Sequence, residues 1–295
     1  MNIIIFGTGE FGKDAYRYYE KATDINILAF CDNDTKKQGQ LFFDKNIISI
    51  NTINNYSYDK IIIASSFDDE IFSQLINQDF EKNKIEIISL NKIKKNLKEG
   101  DTLALAEELM LNISILFNKE HINYHIDHGT LLGIIRDSSL MPWDIDVDFA
   151  CKSEDKDLIL SMLNHFFKDF KSSYCKNNNW QCSIENCDIT IQNTKENLPM
   201  VIKVFNNTDD INSDNFFVDI ELKYEYNNNL YWMVGSRKLF TPVNICFPTS
   251  SILFKNTPIN IPNNVNEYLR LLYGNWDKVI KEWSYDKYNN IKDKI

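Results

Sequence analysis

The sequence predicts an α/β protein of two units, and three observations carry this prediction. An apolar strand, a glycine-rich turn and a helix open the chain within residues 2–20. Residues 91–101 are polar and rich in lysine, which indicates a linker. A second strand, small-residue turn and helix follow at residues 123–136, ahead of a strand with alternating carboxylates. At 295 residues the chain is long enough for two cores, which we place at residues 1–95 and 96–295.

Bulk composition excludes several classes of protein. The net charge of -10 argues against a nucleic-acid partner, because such proteins gather cations to neutralise phosphates. No apolar run approaches the roughly 20 residues that span a bilayer, and no basic segment opens the chain. The six cysteines form no C-x-x-C pair, so reduced thiols are the expectation. We expect a soluble cytoplasmic protein with no transmembrane segment. The sequence does not decide whether the protein forms a homo-oligomer.

The first unit carries a glycine pattern at its first turn. NIIIFGTGEFGK joins an apolar strand to a turn that contains Gly7, Gly9 and Gly12, and the next strand ends at Asp32. This spacing matches the dinucleotide fingerprint, in which glycines admit a pyrophosphate to a helix N-terminus and the acid reaches ribose hydroxyls. The pattern predicts nucleotide binding by these four residues. The alternative is a fold kept for packing or dimer contacts, with an empty turn.

The rest of the first unit indicates a small parallel sheet. Further strands are predicted at residues 47–50, 60–64 and 84–88, with a helix at residues 66–78. Five strands at most make this a compact Rossmann-like unit and not a full dehydrogenase. With FCDND as the matching strand end, it resembles the small N-terminal domain of several sugar-modifying enzymes of surface-polysaccharide pathways. That resemblance implies a nucleotide-sugar phosphate or a partner at the glycine turn.

The second unit is organised around three alternating acids. Asp144, Asp146 and Asp148 alternate with apolar residues, which is the period of a strand with one polar face. Neighbours two apart lie about 7 Å from one another. At an effective dielectric near 20, each adjacent pair repels by about 2 kcal/mol. A divalent cation completed by a phosphate would offset this repulsion, and a solvated strand face is the alternative.

A predicted anion site precedes the acidic strand. Residues 123–127 indicate a short strand that enters Gly129 and Thr130, and a helix is expected to begin near Leu131. Backbone N–H groups at such a helix start face an anion. We interpret His128 either as a base or phosphate contact, or as a residue that has neither of these roles. Farther along, Lys203 either faces a substrate phosphate or is an exposed lysine.

The stretch GTLLGIIRDSSLMPWDIDVDFA resembles the signature of the LicD family, which includes fukutin-related protein and is a branch of the nucleotidyltransferase superfold. By position, Gly129 and Thr130 match the turn that holds phosphates, and Asp146 and Asp148 match the metal pair. Arg136 matches the motif arginine, and its alternative role is pairing with a surface acid.

Two further segments extend this resemblance. FFVDIELKY offers Asp219 as the third acid on a neighbouring strand, and FKNTPINIPNNVNEYLRLLYGNW is similar to the closing segment of the family. The resemblance covers about Asp101 to Trp283. His128 departs from the family pattern, because many members have glycine or another small residue there. The role of its side chain is left open.

The resemblance implies both a fold and a reaction. The predicted fold class is α/β, with a small Rossmann-like parallel-sheet domain followed by a nucleotidyltransferase-like mixed α/β domain. The implied reaction transfers phosphocholine, ribitol phosphate or glycerol phosphate from a CDP-linked alcohol donor to a sugar hydroxyl of a glycan acceptor, and releases CMP. Asp146, Asp148 and Asp219 would hold Mg2+ or Mn2+. The alternatives are a nucleotidyltransferase that leaves NMP on a small acceptor and a non-catalytic nucleotide-sensing module.

Overall fold

The structure, a computed structural model, consists of two compact units, Met1–Lys94 and Lys95–Lys294. It describes residues 1–93, 96–97, 101–175, 178–191, 194–206, 217–279 and 288–294. Part of the predicted linker, residues 94–95 and 98–100, lies outside these ranges, as does Trp283 at the end of the family resemblance. Within the described ranges, no helix has both the length and the apolar character that crossing a membrane requires.

The first unit is a parallel sheet with helices. Its strands are β1 (Asn2–Phe6), β2 (Asn26–Cys31), β3 (Leu41–Phe42), β4 (Lys45–Ile48), β5 (Lys60–Ile63) and β6 (Ile85–Ile87). Its helices are α1 (Glu10–Glu20), α2 (Asp68–Asn77) and α3 (Leu90–Ile93). The strand order is β3-β4-β2-β1-β5-β6, and every pairing is parallel except that of β3 with β4. This confirms the Rossmann-like unit. The limit of five strands was wrong, because β3 is too short for periodicity to reveal.

The central strand β1 is buried on both faces, which explains its unbroken apolar sequence. Ile3 and Ile5 pack with Ala15 of α1 in one cluster. Ile4 packs with Leu75 of α2 in a second cluster on the opposite face. Alternate side chains of one strand therefore supply two cores, and the helices cover both sides of the sheet.

The second unit is a mixed sheet with helices. Its strands are β7 (Tyr124–Ile126), β8 (Asp146–Lys152), β9 (Trp180–Ile191), β10 (Thr194–Asn206), β11 (Phe217–Tyr226), β12 (Asn229–Val234), β13 (Arg237–Pro242), β14 (Ser250–Phe254), β15 (Thr257–Ile261) and β16 (Ile291–Lys294). Its helices are α4 (Thr102–Lys119), α5 (His128–Asp137), α6 (Lys156–Asp169), α7 (Val243–Cys246) and α8 (Val265–Tyr273).

The topology of this unit places β11 at the centre of the sheet. The main path runs β16-β13-β12-β11-β10-β9, and β8 joins it by pairing with β11. The β8–β11 pairing is parallel, whereas β7–β8 and β10–β11 are antiparallel. The predicted mixed α/β architecture is therefore confirmed.

The apolar face of β8 packs against α4. The Phe117 ring lies 5.1 Å from that of Tyr124 and 5.8 Å from that of Phe149, measured between centroids. Val147 and Phe149 are fully buried. Because side chains alternate along a strand, this packing directs the acids of β8 to the opposite face of the sheet.

Candidate active site

The parallel pairing of β8 with β11 brings two predicted acids together. Asp219 is the direct partner of Asp148 in the strand register, although long segments of chain separate them. Neighbouring strands lie about 4.8 Å apart. Their flanking residues Val147 and Val218 are fully buried, so the two carboxylates share the other face.

Asp148 also belongs to a group of three acids at the start of β8. One carboxylate oxygen each from Asp144, Asp146 and Asp148 lies within 4.8 Å of the other two. The family resemblance did not include Asp144 in the metal set, but its carboxylate lies beside the predicted metal pair. Asp219 flanks this group from β11. Hard carboxylate oxygens in such number suit Mg2+ or Mn2+. A Cβ at Gly129 would collide with the Asp144 carboxylate in its present position, so glycine lets this acid approach the turn closely.

The electrostatics of this group favour a bound positive charge. The three side chains keep some solvent access, as a ligand requires. Burial raises the pKa of Asp144 to about 8, and the charge of Asp146 adds to the effect. Burial, followed by Asp146, Asp144 and Asp219, raises the pKa of Asp148 well above its ordinary value. Without a cation, the group therefore holds protons to relieve its repulsion.

The fold brings the positive charge of Lys203 to this group. Antiparallel pairing of β10 with β11 makes Lys203 the partner of Asp219. Its Nζ lies 3.8 Å from Oδ2 of Asp219 and 3.3 Å from Oε1 of Glu185. Burial alone would lower the pKa of Lys203, but Asp219, Glu185 and Asp146 raise it. With its side chain 24% exposed, it is not the freely exposed lysine that the sequence also allowed.

Helix α5 begins at His128, so the expected start near Leu131 was wrong. Asp127 is the N-cap, and its Oδ1 accepts the His128 N–H at 2.8 Å. The Leu131 N–H donates to the Asp127 carbonyl, so Gly129 and Thr130 lie in the first turn. The Thr130 hydroxyl accepts the Asp148 N–H at 2.9 Å and ties the helix to β8. The Thr130 side chain therefore faces β8. The N–H groups of the first turn remain at the N-terminal end of α5, where an anion can bind.

His128 occupies an unusual backbone conformation and a buried network. Its φ is 40°, a region that favours glycine. Its Nε2 lies 3.0 Å from Oε2 of Glu221, and its Nδ1 lies 2.9 Å from the Tyr288 hydroxyl. Burial would lower the pKa of His128, but Glu221 and Asp127 raise it.

A buried ion pair that was not predicted from the sequence joins β11 to the N-cap of α5. Lys223 donates to Oδ2 of Asp127 at 2.6 Å and to the Tyr268 hydroxyl at 2.6 Å. Its Nζ lies 3.7 Å from the Trp232 ring centroid, and Lys223 and Asp127 are fully buried. The alternation of FFVDIELKY already put Lys223 on the face of Asp219, and this was the available signal.

Arg136 forms a bidentate pair with a neighbouring acid. Its Nε and Nη2 donate to Asp137 at 2.9 and 2.7 Å, and Nη2 also contacts Sδ of Met141 at 3.4 Å. This is the surface-acid pairing that the sequence left open. Donor contact by Arg136 stays a prediction.

The glycine turn of the first unit has two close contacts and one open position. A Cβ at Gly7 would meet the Ala64 carbonyl, and one at Gly12 would meet the Gly7 carbonyl. A Cβ at Gly9 would have no atom within 4 Å. Open space at the middle glycine is what ligand approach requires, and nucleotide binding here stays a prediction.

Asp32, the predicted ribose contact, already has partners within the chain. Its Oδ2 accepts from the Thr8 N–H at 3.1 Å, from the Thr8 hydroxyl and from Lys37 Nζ at 3.3 Å. Burial raises the pKa of Asp32, but the Thr8 hydroxyl, the Asp34 N–H and Lys37 lower it below its ordinary value. A ribose would therefore have to share or displace these contacts.

Comparison with known proteins identifies both units. Residues 1–86 match the C2185-like N-terminal domain, and residues 121–264 match the LicD/FKTN/FKRP nucleotidyltransferase domain. Fold and site thus define a two-domain α/β protein with a nucleotidyltransferase-type acidic site. Residues 121–264 of the second unit are thus a LicD-type nucleotidyltransferase domain, and this match supports the LicD prediction from sequence.

Two relatives, both uncharacterized proteins, share parts of the chain. One from Rickettsia prowazekii is 32% identical over 79 residues, which cover 27% of this chain and 30% of the relative. One from Rickettsia typhi is 27% identical over 149 residues, which cover 49% of this chain and 46% of the relative. The chain thus spans under half the length of these curated relatives.

Solved structures show only distant similarity. A lincomycin-bound lincosamide antibiotic adenylyltransferase has a TM-score of 0.34 and 12% identity, covering 59% of this chain and 86% of its own. UDP-D-quinovosamine 4-dehydrogenase from Vibrio fischeri has a TM-score of 0.24 and 16% identity, covering 29% of this chain and 74% of its own. Similarity this weak carries no information about substrate.

Proposed function

We propose that the second unit transfers a phospho-alcohol from a CDP-linked donor to a sugar hydroxyl of a cell-surface polysaccharide or glycolipid, and that CMP is released. The observation that carries this proposal is the acidic group within a LicD domain. Its carboxylates repel one another unless a cation or protons intervene. A cluster of that kind costs stability, and metal binding is a physical reason to keep it.

The residues suited to hold Mg2+ or Mn2+ are Asp144, Asp146 and Asp148, with Asp219 beside them. When bound, the cation would neutralise the donor pyrophosphate and stabilise the charge that develops as the bond to CMP breaks.

The chain's own groups bind and orient the donor around this centre. The first-turn N–H groups of Gly129 and Thr130 face a phosphate, and the helix end contributes about 0.3–1 kcal/mol to binding an anion. So small a contribution cannot hold a nucleotide alone. Asp144 packs over Gly129, so the phosphate-binding turn and the carboxylates are joined in one site.

Asp219 is the group that we assign to proton transfer. Its Oδ1 is buried and has no hydrogen-bond partner among the described residues. The acceptor hydroxyl would lose its proton to Asp219 as its oxygen bonds to the distal phosphorus. The phosphorus–oxygen bond to CMP breaks in the same step, and CMP leaves with the electron pair.

The test is CMP release from a panel of CDP-alcohols, namely CDP-choline, CDP-ribitol and CDP-glycerol, with a sugar acceptor and magnesium. We expect one donor to release CMP, EDTA to stop the reaction, and magnesium or manganese to restore it. NMP found on the acceptor in place of free CMP would support a nucleotidyltransferase. Metal-independent turnover would reject the proposed site.

A further inference from the structure

We propose that Lys203 supplies the second positive charge of this site, so that the carboxylates hold one divalent cation and not two. The inference deepens the proposed function and rests on it for the identity of the donor. It does not depend on which alcohol is transferred.

The strand register carries this inference. Lys203 on β10 pairs with Asp219 on β11, and Asp219 pairs with Asp148 on β8. Side chains that are direct partners in a sheet project from the same face. The ammonium, the flanking carboxylate and the metal-binding carboxylate therefore form one row across three strands.

The ammonium lies beside the carboxylate that a second ion would need. In two-metal phosphoryl-transfer sites the ions lie about 3.5–4 Å apart and stabilise both the attacking and the leaving oxygen. Lys203 Nζ lies 3.8 Å from Oδ2 of Asp219, the acid that would have to bind a second ion. A dication at that carboxylate would meet the ammonium at close range, and their repulsion grows with the product of the two charges.

The position of Lys203 is also held from the other side. Glu185 Oε1 lies 3.3 Å from Nζ, so two carboxylates flank the ammonium. The Lys203 side chain is only 24% exposed, and Asp219 is 22% exposed. A lysine anchored in this way offers a fixed positive charge to a donor phosphate without the cost of ordering a flexible side chain.

The experiment counts Mn2+ ions bound to the full chain by electron paramagnetic resonance. The reference is an Asp146→Asn/Asp148→Asn protein, which reports surface binding alone. We expect wild type and Lys203→Arg to hold one ion above this reference, because both keep the positive charge. Lys203→Met should hold two, because Asp219 becomes available to a second ion.

A matched control is Lys195→Met, which removes a lysine of the same hairpin whose partner is the exposed acid Asp188. It should keep the count at one. A wild-type count of two overturns the inference, even if Lys203→Met fails to fold. A Lys203→Met count of one at unchanged affinity also overturns it. Failure of every CDP donor to release CMP, with the counts as expected, rejects the proposed function but not the role of Lys203.

Discussion

The Nζ atom of Lys223 lies 2.6 Å from Oδ2 of Asp127, and neither side chain is exposed to solvent. The pair joins the central strand β11 to the N-cap of α5, and it thereby fixes the start of the helix beside the acidic group. Tyr268 donates to Oδ1 of the same carboxylate at 2.7 Å. Such a pair gains little net energy over an apolar isostere, but it is costly to break from one side.

Lys223→Met should therefore lower the free energy of unfolding by about 3–5 kcal/mol, because it leaves the buried charge of Asp127 without its lysine. Combining it with Asp127→Asn should recover much of that loss, since the second change removes the uncompensated charge. Urea unfolding of the two single variants and the double variant measures the coupling. Strictly additive losses would show that the pair is not coupled.

Asp148→Asn should abolish transfer and also remove the rise in Tm that Mg2+ produces in wild type. In EDTA its Tm should be equal to or above that of wild type, because one member of a repelling group is gone. Asp157→Asn, at an 87% exposed acid on α6, is the control and should leave both properties unchanged. Full turnover by Asp148→Asn would remove this residue from the site.

His125 should contribute a loss of stability in acid. Burial lowers the pKa of His125 from 6.5 to about 4, although Asp127 acts in the opposite direction. Between these pH values the unfolded chain binds a proton at this residue that the folded chain does not. The contribution of His125 to the free energy of unfolding therefore decreases as the pH falls, by about 3 kcal/mol at pH 4. Asp144 and Asp148, whose pKa values are raised, contribute with the opposite sign, so the test compares a variant with wild type.

His125→Phe removes this dependence while it keeps the ring packing against Phe247 and Tyr268. We expect the unfolding free energy of wild type to fall relative to that of His125→Phe as the pH is lowered from 6.5 to 4. Denaturant unfolding at a series of pH values measures the difference. Parallel profiles for the two proteins would show that His125 does not cause the loss.

The glycine turn of the first unit offers a pair of contrasting substitutions. Gly12→Ala should destabilise this unit by about 1–3 kcal/mol, because its Cβ collides with the Gly7 carbonyl. Gly9→Leu should leave the fold intact, because a Cβ at that position meets no atom within 4 Å. It should weaken any nucleotide binding by this unit and leave CMP release measurable. Loss of transfer in a folded Gly9→Leu protein would place the turn in the active site.

Local pattern was enough to predict much of the architecture. The apolar strands and the glycine turn of the first unit, and the alternating acids of the second, were predicted because side-chain period and turn chemistry depend on neighbours in sequence. The start of α5 was predicted three residues too late, at Leu131. Asp127 was interpreted as the end of a strand, and its capping of His128 was not recognised.

Lys203 shows where local pattern stops. An exposed lysine was the favoured interpretation of its sequence, and the choice depended on its pairing with Asp219. That contact has no signature in the residues beside Lys203. The grouping of Asp144 with Asp146 and Asp148, in contrast, was predicted from their alternation and is confirmed, although β8 begins only at Asp146.

The sequence by itself determined that Asp146 and Asp148 share one face of a strand and that Asp219 lies on the polar face of another, because alternation is a local property of extended backbone. Only the tertiary structure decided that these strands are parallel neighbours and that Lys223 is buried against Asp127. The physical reason is that strand order and register follow from burying the distant apolar faces of many elements at once. Spacing along the chain contains no direct measure of that packing.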